Sequence, residues 1–154
     1  SSEEHIKTWD EISSIVAELK NKDKKIIFTN GCFDILHTGH VKYLEETKSF
    51  GDILILGLNS DNSVRKLKGE KRPINSQVDR AYILASLEVI DYVVIFDDDT
   101  PYDLINLIQP DVLVKGGDYE GKEVVGQDIA KELKLVKFID NKSTTKIIER
   151  IQKS

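Results

Sequence analysis

Cysteine is nearly absent. Cys32 stands alone among 154 residues, so no intramolecular disulfide can form and the chain suits a reducing compartment. Methionine is missing altogether, and the chain opens on Ser1-Ser2 without the charged-then-apolar layout of a secretory leader. No apolar run approaches the roughly 18 residues that a membrane span needs. There is no surplus of positive charge either: the net charge of -5 and the pI near 5.3 argue against nucleic acid as the main partner. No internal repeat, low-complexity stretch or domain boundary interrupts the sequence. What is there, 40% hydrophobic residues, suffices for one globular core. The expectation is a single cytoplasmic domain over 1–154, with a helix and connector in 1–24 and the core in 25–154.

Thr8-Trp9-Asp10-Glu11 fits a capping box, and Ile12, Ile15, Val16 and Leu19 follow at helical spacing to about Asn21. Strands are expected at Lys25–Thr29, Ile53–Leu58, Tyr92–Phe96, Val112–Val114 and Leu135–Ile139. Between them, helices are expected after His37, after Ser60, and after Ser76 with Val78, Tyr82, Ile83 and Leu87 on one stripe. Others follow after Thr100-Pro101, around Gln127–Leu133, and from Ser143 to about Gln152. The Ile53 run is apolar throughout, as in a strand buried on both faces. Strands alternating with helices predict an α/β fold with a mostly parallel sheet of about five strands. Ligands of such folds lie beyond the carboxyl ends of the strands, near the point where strand order reverses.

The stretch Phe28 to His40 sits at such an end. It leads from a strand into a helix through Gly31, Asp34, His37, Gly39 and His40. Free N–H groups and a helix dipole suit that position to a phosphate. Imidazoles at 37 and 40 can both address one anion, and Gly39 lets it come close to the backbone. Two other chemistries fit less well. Cys32, His37 and His40 lack a fourth zinc ligand at any closed-site spacing, and no third residue orients a Cys–His nucleophile. Asp97-Asp98-Asp99 precedes a helix and reads as a solvated, dipole-favoured loop.

The same stretch, Thr29-Asn30-Gly31-Cys32-Phe33-Asp34 followed by His37-Thr38-Gly39-His40, resembles the signature of the cytidylyltransferase-like nucleotidyltransferases. The likeness continues through Gly57-Leu58-Asn59-Ser60-Asp61, Leu67-Lys68-Gly69, Arg72-Pro73-Ile74, Asp79-Arg80, Asp99-Thr100-Pro101, the run Pro110 to Tyr119, and Ser143-Thr144-Thr145. Within the family this set is similar to the bacterial heptose 1-phosphate adenylyltransferases, fused to a kinase or standing alone. It departs from them at Leu133-Lys134 and Asn141-Lys142.

The resemblance implies a Rossmann-like fold with helices on both faces of the sheet, and transfer of a nucleoside monophosphate to a sugar 1-phosphate. His37 and His40 would stabilise the α-phosphate and the leaving pyrophosphate, with Lys68 and Lys115 as further catalytic cations. Thr29, Asn30, Gly31, Cys32, Phe33, Asp34, Gly39, Lys71, Arg80, Gly116, Asp118, Ser143, Thr144 and Thr145 would line the nucleotide and acceptor sites, with Arg72 a weaker addition. Asp34 would orient a neighbouring group or help hold Mg²⁺, and Arg80 would reach phosphate or sit in a surface ion pair. The triphosphate needs Mg²⁺, for which no dedicated protein cage is visible. ATP and D-glycero-D-manno-heptose 1-phosphate are the expected substrates and a homodimer the expected assembly. GTP or CTP with glycerol 3-phosphate, and a non-catalytic nucleotide-binding module, stay open as alternatives.

Overall fold

The computed structural model describes residues 1–117, 121–137 and 144–153. Five strands, β1 (Ile26–Gly31), β2 (Ile53–Asn59), β3 (Tyr92–Phe96), β4 (Val112–Gly116) and β5 (Glu132–Val136), form one sheet in the order β3-β2-β1-β4-β5. Every pairing is parallel. Six α-helices accompany it among the described residues: α1 (Trp9–Asn21), α2 (Thr38–Lys48), α3 (Asp61–Lys68), α4 (Gln77–Ala85), α5 (Tyr102–Ile108) and α6 (Thr144–Lys153).

The order of the strands fixes where a ligand can enter. The chain winds outward from β1 to β3, then returns to place β4 on the other side of β1. The reversal therefore lies between β1 and β4, and in folds of this kind ligands bind beyond the carboxyl ends of the strands at that point.

Alternating strand residues feed two cores. Ile27, Leu54, Leu56, Val112 and Val114 pack with Tyr43 and Leu44 of α2 and with Ala81 and Leu84 of α4. Ile26, Phe28, Ile55 and Leu113 pack on the opposite face with Ile12 and Val16 of α1 and with Leu104, Ile105 and Ile108 of α5. Acidic residues at the strand starts satisfy their neighbours' first amides. Asp111 accepts from Ile26 N–H at 2.8 Å, and Asp91 from Leu54 N–H at 2.8 Å.

The capping box of α1 forms as expected, with Thr8 Oγ1 accepting from Glu11 N–H at 3.1 Å and Glu11 from Thr8 N–H at 3.0 Å. Ahead of it a short 3-10 turn, Ser2–His5, leads to Ile6, which bridges in parallel to Val93 on the outer edge of β3.

Four expectations need correction. The stripe of α4 is reversed within the helix: Val78, Tyr82 and Ile83 are 69%, 48% and 42% exposed, while Arg80, Ala81, Leu84 and Ala85 face inward; Leu87, just past the helix, packs against the core as expected. At the first turn of that face lie backbone carbonyls just past β1 and at the end of β2, which need a donor, and Arg80 supplies it. No helix forms over 127–133. A single turn closes there with Ile129 and Ala130 N–H both donating to Gly126 O, and Gly126 adopts a φ of 90° that favours glycine. β5 accordingly begins at Glu132, three residues early; the end assigned to it at Ile139 lies outside the described residues. Finally, α5 starts at Tyr102, one residue after the proline.

Candidate functional site

β1 runs out at Gly31 because the chain must turn sharply there. Phe33 takes a φ of 45°, a left-handed conformation unusual for a bulky residue. Its ring folds back beneath the strand end, so that a Cβ on Gly31 would lie 2.7 Å from it. The same ring, almost fully buried, rests against His40 with centroids 5.3 Å apart.

His37 is the N-cap of α2 and His40 lies in its first turn. The two imidazoles cap the helix together. Gly39 N–H donates to His37 Nδ1 at 3.1 Å, and His37 N–H donates to His40 Nδ1 at 3.3 Å. Their rings stack at 3.9 Å with planes 29° apart. Because each Nδ1 accepts, the proton of each neutral ring belongs on Nε2. When neutral, both rings are therefore held in the Nε2–H tautomer, and Nε2 of His37 is buried. Burial, aided by the neighbouring His37 ring, lowers His40 from 6.5 to about 4, so it is a neutral donor near pH 7.

Lys115 is the penultimate residue of β4 and Asn30 that of β1, and the Lys115 ammonium donates to Asn30 Oδ1 across the strand-order reversal. Burial lowers its pKa from 10.5 to about 8. Gly116 and Gly117 follow, the latter at a φ of 111°. The carboxyl end of the sheet thus carries a cation on β4 and, after β1, a helix start with two imidazoles.

Beneath the loop lies a second layer of polar contacts. Asp34 is buried and its carboxylate is saturated: it accepts from Arg72 Nε at 3.1 Å, from Ile74 N–H at 2.8 Å and from Asn75 N–H at 2.9 Å. It anchors the α3–α4 connection, which differs from the orienting or magnesium-holding part foreseen for it. Arg80, 1% exposed, neither reaches outward nor forms a surface pair. It donates to Asn75 O, Cys32 O, Asn59 O and Asp61 Oδ1 at 2.8–2.9 Å. Thr29 also turns inward, bonding Tyr43 Oη at 2.6 Å and Val114 O at 2.8 Å, so its side chain ties β1 to α2 and β4.

Lys68 ends α3 and Lys71 follows in the loop, both exposed. Cys32, half-buried, has its thiol pushed up by burial, while the charges of Lys68, Arg80 and Arg72 pull the other way. Lys68 therefore lies within electrostatic reach of the β1–α2 loop. Thr144 and Thr145 open α6; Asp118 and Ser143 lie outside the described residues. The structure thus brings together residues 30–40, Lys115 and the flank of Lys68. Among the described residues, no three His, Cys, Asp or Glu side chains gather as a metal site.

Sequence reasoning missed Asn75, Tyr43, Asn59 and Asp61 as parts of this layer. A usable signal existed for one of them: Asn75-Ser76 is a turn-and-cap pair directly before a helix.

The cytidylyltransferase-like family model matches residues 28–152. Among curated proteins, the chain is 72% identical to the bifunctional protein HldE of Aliarcobacter butzleri, over all of this chain and 32% of that protein. It is 63% identical to the protein of the same name from Nitratiruptor sp., over 98% of this chain and 33% of that one. The chain spans about a third of the length of the curated relatives it matches.

Among solved structures, a lipopolysaccharide core biosynthesis protein from Thermoplasma volcanium superposes with a TM-score of 0.61 at 27% identity, covering 75% of this chain and 96% of that one. Pantoate-beta-alanine ligase from Francisella tularensis, at 17% identity and a TM-score of 0.60, covers 86% of this chain and 66% of its own and shares the fold.

Proposed function

The chain belongs to the cytidylyltransferase-like family and is a nucleotidyltransferase domain, and from that premise we propose that it transfers the nucleoside monophosphate of ATP to a sugar 1-phosphate. The acceptor we propose is D-glycero-D-manno-heptose 1-phosphate, with pyrophosphate as the second product. The NDP-heptose formed would serve lipopolysaccharide or related surface-glycan synthesis. The name of the Thermoplasma volcanium protein supports that setting, and the length and name of the bifunctional relatives support a domain that carries one of two activities.

The observation that carries this reading is the stacked pair His37 and His40, each held in the Nε2–H tautomer when neutral, at the helix start beside the strand-order reversal. In the reaction an oxygen of the acceptor phosphate attacks the α-phosphorus and the bond to the β-phosphate oxygen breaks. No proton need leave the nucleophile, so the protein's task is to position two anions and stabilise spreading negative charge. His37 and His40 donate to the α-phosphate and the departing pyrophosphate, and the backbone around Gly31 to Phe33 cradles phosphate. Lys115 holds the acceptor phosphate, Lys68 and Lys71 cover the triphosphate, and the start of α6 at Thr144 and Thr145 takes its distal end.

Mg²⁺ is proposed as the charge partner that the triphosphate brings with it. The described residues offer it no carboxylate cluster, and Asp34 is saturated by protein donors. A cytoplasmic setting follows from the nucleotide requirement. Assembly as a homodimer is carried over from the family resemblance and is testable by sedimentation equilibrium. No helix among the described residues is long and apolar enough to cross a membrane.

The deciding experiment measures pyrophosphate release with Mg²⁺ while crossing ATP, GTP and CTP with both anomers of heptose 1-phosphate and with glycerol 3-phosphate. Turnover confined to ATP and one heptose anomer is the expected result. Turnover with CTP and glycerol 3-phosphate would reassign the substrates, and nucleotide binding without turnover in any pair would sink the enzymatic reading.

A further inference from the structure

The segment Cys32-Phe33-Asp34 is gripped at both ends. Cys32 O accepts from Arg80 Nη1 at 2.9 Å, and Asp34 O accepts from Asn75 Nδ2 at 3.0 Å. Between the grips stands Phe33, whose left-handed φ is strained for a bulky residue and persists only while its surroundings enforce it. The ring that this conformation places is the one against His40.

Asn75 also closes the circuit between the two grips. Its N–H donates to Asp34 Oδ1 at 2.9 Å, and its carbonyl accepts from Arg80 Nε at 2.9 Å. One residue at the head of α4 thus joins the helix to the β1–α2 loop through backbone and side chain together. Its side chain has a separable role: Nδ2 serves the Asp34 carbonyl, while the bonds to the Asp34 carboxylate and to Arg80 are made by its backbone and survive truncation.

We propose that Asn75 is a positioning residue for the transfer reaction, holding Asp34 and Phe33 so that His40 is kept in place at the start of α2. The inference rests on the functional reading above for its kinetic consequence, and on geometry alone for its structural one. When the Nδ2 bond is lost, Phe33 relaxes toward ordinary φ, its ring leaves His40, and water reaches the imidazole.

The test compares Asn75→Ala and Asn75→Asp with the wild type and with Thr8→Ala, which removes a hydrogen bond of similar worth at the head of α1. Steady-state kinetics, melting temperature and the NMR titration of the His40 ring are measured on the full chain. For Asn75→Ala the expected result is a kcat about 10- to 100-fold lower with the KM for ATP within about twofold, as a small misplacement of a catalytic group produces. The His40 midpoint is expected to rise from about 4 toward 6.5. Asn75→Asp, which sets an acceptor against the Asp34 carbonyl, is expected to shift both further. Thr8→Ala is expected to lose comparable stability with kcat and the His40 midpoint unchanged.

Wild-type kinetics and an unmoved His40 midpoint in both Asn75 variants would overturn the proposal, as would equal kinetic loss in Thr8→Ala. If the wild type turns over no substrate pair, the functional reading fails by itself. The His40 titration then decides the positioning claim: a raised midpoint upholds it and an unmoved one refutes it.

Discussion

His37 and His40 hold each other's place: the backbone N–H of His37 donates to Nδ1 of His40, while Nδ1 of His37 accepts from Gly39 N–H, and the rings stack at 3.9 Å. Helix capping and catalysis are therefore two uses of the same pair. Replacing His40 by alanine should lower kcat by on the order of 10²–10³-fold, as removal of a charge-stabilising donor does, while leaving the KM for ATP much less changed. Pyrophosphate-release kinetics of His40→Ala check this; a variant with full activity would show that the imidazoles only cap the helix.

The same pair makes stability depend on acidity. Folded His40 titrates at about 4 against 6.5 for an ordinary histidine, so between these values the unfolded chain binds more protons than the folded one. Stability then falls as pH drops from 6.5 toward 4, by on the order of 2 kcal/mol once the ring's residual exposure is allowed for. Melting temperatures across that range should decline in the wild type and decline less in His40→Ala.

Lys115 predicts opposite trends in two measurements. Its pKa of about 8 means that raising the pH past 8 discharges the cation that holds the acceptor phosphate. The KM for the sugar phosphate should rise about tenfold per pH unit there while the KM for ATP changes little. Stability moves the other way: between about 8 and 10.5 the unfolded lysine binds the extra proton, so its contribution to folding improves with pH. Lys115→Met should abolish the pH dependence of the acceptor KM and leave that KM high throughout.

Arg80 should fail as a structural tie. Arg80→Leu strands the Asp61 carboxylate and the carbonyls of Cys32, Asn59 and Asn75, and should cost about 3–5 kcal/mol in denaturant unfolding. Arg80→Lys should recover only part of it, since a point-like ammonium cannot span acceptors arranged for a planar fork.

Gly31→Ala isolates the Phe33 contact. The new methyl would meet the ring at 2.7 Å, so the ring must shift against His40. A loss of kcat with the fold retained is the expected outcome, read by activity and circular dichroism together.

Much of the fold was legible because it is written in local chemistry. The Thr8–Glu11 box, the caps at Ser60 and Ser76 and the uninterrupted Ile53 run each form what their residues favour. The loop chemistry was legible for the same reason, since a strand end followed by His37-Thr38-Gly39-His40 puts its groups together by covalent connection alone. What stayed hidden depends on distant partners. Arg80 reads as a surface residue until the carbonyls of Cys32 and Asn59 appear beside it, and its burial turns Val78 and Tyr82 outward. Asp34 reads as a site carboxylate until residues 72–75 fold back to saturate it. The span 127–133 was expected to be helical, yet a single turn closes there before Glu132 N–H donates to Asp111 O and β5 begins.

The bridge from Ile6 to Val93 has a consequence for how this sheet meets other chains. Lys7 N–H donates to Val93 O at 2.9 Å and Trp9 Nε1 to Ile95 O at 2.9 Å, so successive outward carbonyls of β3 are already taken. A foreign strand seeking to template onto that margin would have to displace residues 6–9 first. The leading segment works as a selvedge: it finishes the woven edge of the sheet and keeps it from growing into its neighbours.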